Sequence, residues 1–207
     1  MARTTSMALP IATIDTGTGD TDSGDTRLGG AGSAHATGDS DVGPVVSSAH
    51  LAAGRSPGLS EVEYGLMIAT SAFNRWMVRC MAASGHPGLS ATEVAILHSV
   101  AHRGREKRMA DIALVLDFED IHVVSYAVKK LETAELIRTR RAGKEKMVAI
   151  SEAGFDVCQR YGQLREKLLL DIVSQARLPE SELSNLAALL RMLSGAYNQA
   201  ARAAATF

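Results

Sequence analysis

The chain has 207 residues, enough for one domain of ordinary size or two small ones. Its formal net charge of -1 names no partner through bulk electrostatics, so any electrostatic argument rests on where the charges sit. No apolar run approaches the roughly 20 residues that span a bilayer, and "MALPIATIDTGTGD" turns polar too soon for a signal peptide's apolar core. Two cysteines far apart in sequence, Cys80 and Cys158, make no disulfide framework. A cytoplasmic protein without a membrane partner is expected. The hydrophobic content of 46 % with only 4 % aromatic residues favours a helical domain with an aliphatic core.

Residues 1 to about 56 form a separate compositional block. "TGTGDTDSGDTRLGGAGSAHATGDSD" is built from Gly, Thr, Ser, Asp and Ala and cannot bury enough apolar surface to offset the entropy of ordering. It reads as a disordered tail, followed by a folded domain over 57–207. From Ser60 the pattern changes. "SEVE" reads as a capping box with Ser60 as N-cap, and Val62, Leu66, Ala69, Phe73, Trp76 and Cys80 recur at alternating spacings of four and three, a helical stripe. Gly85, Pro87 and Gly88 stop it. A second capping box, Ser90 with Glu93, opens "LSATEVAILHSVAH", with Val94, Leu97 and Ala101 inward.

"RGREKR" reads as a short basic connection. "MADIALVLD" is a short helix and "DFED" a break. "IHVVSYAVKKLETAELI" is a helix with Ile121, Val124, Val128 and Leu131 inward. Ile137 to Arg140 and Lys146 to Ile150 read as two strands with Ala142 and Gly143 in the turn. Ser151 begins a helix to about Gln175, with Phe155, Cys158, Tyr161, Leu164, Leu168 and Ile172 inward. The last helix follows Pro179 and carries Leu183, Leu186, Leu190, Leu193, Tyr197 and Ala200 on one stripe.

A short helix, a tight polar turn and a longer helix make a helix-turn-helix candidate, in which the second helix can lie in a DNA major groove. Its outward residues are His122, Ser125, Tyr126, Lys129 and Lys130. The first three can reach base edges and the lysines suit phosphates. Between Arg103 and Lys146 there are 11 cations against 8 anions, an excess of three in a chain whose total is -1. A basic hairpin taken alone is most simply a solvated surface loop. Following a helix-turn-helix it reads as a wing, with Arg138, Arg140, Arg141 and Lys144 as candidates for phosphate or minor-groove contact.

This order of elements resembles the MarR family of winged helix-turn-helix transcription regulators. "LSATEVAILHSVA" resembles the family's second helix, "MADIALVLDFEDIHVVSYAVKKLETAELIRTRR" its helix-turn-helix running into the wing, and "VAISEAG" its Leu-Thr-x-x-Gly junction, here Ile150, Ser151 and Gly154. The match covers about residues 60 to 205. The resemblance implies a mainly α fold with a small β-hairpin wing: a winged helix-turn-helix core over about 89–151, and N- and C-terminal dimerisation helices over about 60–84 and 152–205. It also implies a homodimer on a pseudo-palindromic double-stranded DNA operator. The long apolar stripes of the terminal helices support a dimer independently, since one small winged domain cannot cover them. Such a dimer spaces its half-sites by about 10 base pairs. Two departures stand out. Where the family wing commonly carries Asp-x-Arg, this chain has Ala142, Gly143 and Lys144, and Tyr126 stands where an Arg is frequent.

His98 and His102, at i and i+4, could hold a metal with His86 or His122, but no HExxH pattern accompanies them and partly buried histidines are the simpler reading. Cys80 and Cys158 could sense redox state, yet both fall on apolar stripes, which favours packing. Arg75 and Arg79 could line an effector pocket where the dimerisation helices meet the winged domain, or could face solvent. No phosphate loop, nucleophile elbow or carboxylate pair suggests an enzyme, and no cofactor is expected. The expected function is sequence-specific DNA binding in transcription regulation by a homodimer, with a small-molecule or redox effector. The alternatives are a winged-helix protein-interaction module and a small-molecule sensor, neither of which binds DNA.

Overall fold

The computed structural model describes residues 43–207. The first 42 residues of the segment read as a disordered tail lie outside the described residues. The chain forms α1 (Ala49–Ala52), α2 (Pro57–Ala83), α3 (Ala91–Ala101), β1 (Lys107–Arg108), α4 (Met109–Val115), α5 (Ile121–Thr133), β2 (Ile137–Ala142), β3 (Glu145–Ile150), α6 (Glu152–Arg165), α7 (Asp171–Gln175) and α8 (Glu180–Ala204). A wider π turn over Glu166–Leu170 joins α6 to α7. The one long helix expected from Ser151 to about Gln175 is thus helical throughout, with this irregular turn inside it.

Helix α2 begins earlier than the capping-box pattern suggests. Ser56 is the N-cap, its hydroxyl accepting the amide of Leu59, and Pro57 takes the first helical position, where its missing N–H costs nothing. Ser60 is therefore buried inside the helix, and its hydroxyl donates to the Leu51 carbonyl at 2.8 Å, holding α1 against α2. The box at α3 forms as the pattern requires. The Glu93 amide donates to Ser90 Oγ at 3.3 Å, and the Ser90 amide to Glu93 Oε2 at 2.7 Å.

The core lies inside the winged domain and where it meets the C-terminal half of α2 and the N-terminal half of α6. Met81, Leu97, Val100, Ile112, Leu131 and Val148 are fully buried in it. Each such side chain contributes about 1.5–3 kcal/mol through the area it removes from water. Beyond that junction the apolar stripes have no counterpart among the described residues. Phe73 on α2, and Leu168 and Ile172 further along the chain, are exposed, and no residue of α8 is buried. Phe155, read as inward, is also exposed; Val157 takes the buried place on α6.

The sheet has three antiparallel strands in the order β1-β3-β2. The hairpin pairs Ile137 with Ile150 through to Ala142 with Glu145, leaving Gly143 and Lys144 as the turn. Gly143 has φ of 63°, the left-handed geometry that the first position of a two-residue hairpin turn demands. The third strand has only two residues, with Lys107 opposite Val148 and Arg108 opposite Met147, inside what reads in sequence as a basic connection.

The root of the hairpin is closed by a clamp. The Ser151 amide donates to the Leu136 carbonyl at 3.1 Å, Ser151 Oγ donates to the Glu135 carbonyl at 2.6 Å, and the Gly154 amide donates back to Ser151 Oγ at 2.9 Å. Gly154 packs so closely here that a Cβ would lie 2.0 Å from the Leu136 carbonyl oxygen and 2.8 Å from Ile150 Cδ1. Backbone cannot yield as a flexible side chain can. Gly154→Ala is expected to lower the unfolding free energy by about 3 kcal/mol, read by urea denaturation at fixed protein concentration. A loss below about 1 kcal/mol would show that the hairpin root can open without cost.

Candidate nucleic-acid interface

Asp120 caps α5, its carboxylate accepting the His122 amide at 2.8 Å. Val124, Ala127, Val128 and Leu131 anchor the helix in the core. Ile121, expected inward, is 41 % exposed, because it precedes the first turn that packs. The opposite face presents His122, Ser125, Tyr126 and Lys129 to solvent, with Tyr126 72 % exposed. Val123 joins them, a surface apolar group that the helical stripe gave no reason to single out.

Lys130 is set apart from these. Its ammonium donates to the Gly88 carbonyl and to Glu93 Oε2, both at 2.8 Å. It bolts the outer helix to the N-terminus of α3. Burial opposes ionisation of the Glu93 carboxyl, but the hydrogen bonds from Lys130 and Ser90 outweigh it and hold the group below the usual glutamate range.

In the wing, the register puts Arg138 and Arg140 on one face of the sheet beside Ala149 and Met147, and Arg141 on the other beside Lys146. Arg140 is committed to Glu106: its Nε donates to Oε1 at 2.8 Å and a second bond runs from Nη2 to Oε2. Lys146 pairs with Glu132 at 3.7 Å, and Glu132 also accepts the Thr139 hydroxyl at 2.5 Å. Arg108 reaches Asp111 through two bonds of 2.9 and 2.8 Å and Glu145 at 3.5 Å. The partner guanidinium holds the carboxyls of Glu106 and Asp111 below their usual values. Lys129, Arg138, Arg141 and Lys144 form no ion pair among the described residues and are all exposed. Sequence reasoning missed Glu106, Arg108, Asp111 and Glu145 as partners. The alternation of sign through "RGREKRMAD" was the signal available.

Arg75 and Arg79 are exposed on α2 and line none of the cavities found among the described residues. The cavity nearest to that expectation, about 360 Å³, lies between α2, α3 and α6 and is lined by Phe73, Trp76, His98, Cys158, Tyr161 and Arg165. His98 stands edge-on to Tyr161 with ring centres 4.5 Å apart, and its buried Nε2 has no hydrogen-bond partner among the described residues. Burial holds the imidazole below its ordinary value. It also pushes the Cys158 thiol up to about 11 and raises that of Cys80. Burial thus disfavours at both sulfurs the thiolate form that fast oxidation needs. Among the described residues, no three His, Cys, Asp or Glu side chains are grouped to hold a metal ion. No described helix is long and apolar enough to cross a membrane.

Residues 89–154 match the family profile described as a winged helix DNA-binding domain. No curated protein matches the chain by sequence. Among solved structures, the fold is similar to that of a mutant MarR from E. coli complexed with operator DNA, at 13% identity and a TM-score of 0.55, covering 68% of this chain and 98% of that one. It is similar to a MarR family transcription regulator at 14% identity and a TM-score of 0.56, covering 71% and 95% of the two chains. An organohalide sensing transcriptional regulator in its 2,4-dichlorophenol bound form matches at 20% identity and a TM-score of 0.52, covering 64% of this chain and 76% of that one.

The division between engaged and free cations gives a test. Lys130→Ala should lower thermal stability and leave the salt dependence of DNA affinity unchanged. Arg141→Ala combined with Lys144→Ala should leave stability unchanged and reduce the slope of log affinity on log salt by about 2, one per phosphate contact. Titrations at several salt concentrations and thermal melts read both; the opposite pattern would exchange the two assignments.

Proposed function

We propose that this chain, a winged helix DNA-binding domain set within a fold shared with MarR regulators, is a MarR-family transcription regulator that binds operator DNA as a homodimer. One observation carries the reading. The exposed face of α5, with His122, Ser125, Tyr126 and Lys129, belongs to the same small domain as a wing bearing the unpaired cations Arg138, Arg141 and Lys144. His122, Ser125 and Tyr126 are of a size and chemistry to meet base edges in a major groove, and Val123 can meet a thymine methyl. The unpaired cations neutralise phosphates. Lys130 and Arg140 serve the framework that aims them.

The homodimer follows from the uncovered helices. A 25-residue helix with no buried residue, bearing exposed Leu186 and Leu190, and exposed Met67, Phe73 and Ile172 on neighbouring segments, present apolar surface that the described residues do not close. A second copy supplies the same surface and closes it by two-fold symmetry. Effector control rests on the aromatic-lined cavity between α2, α3 and α6, where Arg165 and the unpartnered His98 supply the polar contacts, in place of Arg75 and Arg79. The raised thiols of Cys80 and Cys158 favour a small molecule over oxidation as the signal.

Selection of genomic fragments on the purified protein tests the reading directly. The expected result is a pseudo-palindromic site with half-sites about 10 base pairs apart, bound with an affinity that falls steeply with salt. Fragments recovered without sequence preference would reduce the reading to non-specific DNA binding, and no salt-sensitive binding would favour the protein-interaction module or the sensor. Leu186→Glu with Leu190→Glu should convert a dimer in sedimentation to a monomer and abolish operator binding; a dimer that survives both substitutions would move the interface away from α8.

A further inference from the structure

We propose that Glu106 is the positioning residue of the wing: from outside the hairpin, its carboxylate grips Arg140 and so fixes the angle at which the tip cations Arg141 and Lys144 are presented. The role in presentation rests on the DNA-binding reading above.

The hairpin needs such a brace. Two six-residue strands on a two-residue turn are marginal by themselves, and the third strand adds a ladder only two residues long. The segment that carries Glu106 is itself firmly held. Lys107, the next residue, donates its ammonium to the carbonyls of Val100 at 3.0 Å, His102 at 2.7 Å and Arg105 at 3.3 Å. These carbonyls lie at and just beyond the C-terminus of α3, where a cation is favoured. Glu106 thus stands on a fixed base, 34 residues from Arg140 in sequence.

The geometry of the grip is directional. Arg140 lies in the outermost row of the sheet, opposite Met147 in β3, and Met147 is in turn opposite Arg108 in β1. To reach Glu106 the guanidinium crosses β3, and the two-bond fork fixes its orientation as well as its distance. Arg108 makes the complementary crossing from β1 to Glu145 beside the turn, while held at its other side by Asp111 of α4. The two struts tie both hairpin strands to the α3 end and the α4 start. Arg141 points to the other face of the sheet and Lys144 stands in the turn, so neither is consumed by the bracing. The wing has no acid at Ala142, and its one carboxylate, Glu145, is engaged by Arg108; Glu106 supplies from a neighbouring element the carboxylate that grips Arg140.

Hydrogen exchange on the free full-length protein, paired with titration of a selected genomic fragment at several salt concentrations, tests the assignment. Glu106→Gln keeps the shape and removes the charge. It should speed exchange of the amides of residues 138–147 and weaken DNA binding about two- to fivefold, the range of an exposed ion pair, with the salt slope unchanged. Arg140→Gln should do the same, the double variant should be no worse than either single one, and the exchange of charges, Glu106→Arg with Arg140→Glu, should recover most of both losses. Tighter binding by Glu106→Gln with a steeper salt slope would overturn the proposal, because Glu106 would then be shielding Arg140 from phosphate. Unchanged wing exchange in both single variants would overturn it too. If the wild-type chain bound no DNA while Glu106→Gln still loosened the wing, the brace would stand and the DNA-binding reading alone would fall.

Discussion

Everything outward of the core depends on the contact between the Leu136 carbonyl and the backbone at Ser151 and Gly154. It joins the residue where the chain leaves α5 to the first turn of α6, closing the whole wing at its root. Because a hairpin's side-chain faces alternate with period two, this closure fixes which arginines lie on which face. It also roots α6, which leads on to the exposed Leu168 and Ile172, in the same place as the wing. The angle between the DNA-binding surface and the helices beyond it is therefore set at one point, where Gly154 allows a backbone approach that no other residue permits.

Around that root, the basic character of the domain divides into two populations. Lys107, Arg108, Lys130, Arg140 and Lys146 are used internally, each engaged by carbonyls or carboxylates of another segment or turn. Lys129, Arg138, Arg141 and Lys144 are left over, as are Arg103 and Arg105 just beyond α3, among the described residues. A count of charges cannot separate the two groups, and it overstates the field that a phosphate would meet. On the DNA-binding reading, the free cations would contribute the salt-dependent part of binding, while the engaged group stiffens the platform from which they would act.

Much of this was legible in the residues. The Ser90–Glu93 capping box, the buried stripe Val124, Val128 and Leu131, and the hairpin around Gly143 are each specified by local rules, and the tertiary structure obeys them. The same capping rule misplaced the start of α2, because Ser60 has the right spacing to Glu63 while its hydroxyl finds the Leu51 carbonyl and Pro57 extends the helix behind it. Strand β1 was invisible: two residues carry no period, and its existence depends on β3 lying beside it. The pairing of Lys130 and of Arg140 is invisible for a related reason. Nothing local announces that Glu93, 37 residues away, or Glu106, 34 residues away, will be the partner. Arg75 and Arg79 face solvent on α2, and the cavity between α2, α3 and α6 has Arg165 in its lining, on a helix brought there only by packing.

The absence of any buried side chain along α8 has a thermodynamic meaning. Among the described residues its side-chain ties to the rest of the chain are slight, Tyr197 to Glu63 at 3.4 Å and Asn198 to Asp117 at 2.7 Å. An isolated helix in water is marginal, and most helical stability comes from an apolar face that is covered. The order of this segment is therefore set less by the chain's own sequence than by the chemical potential of whatever covers it. With a second copy in that place, the natural variable for the fold of α8 is protein concentration, and dilution acts on it as a denaturant would.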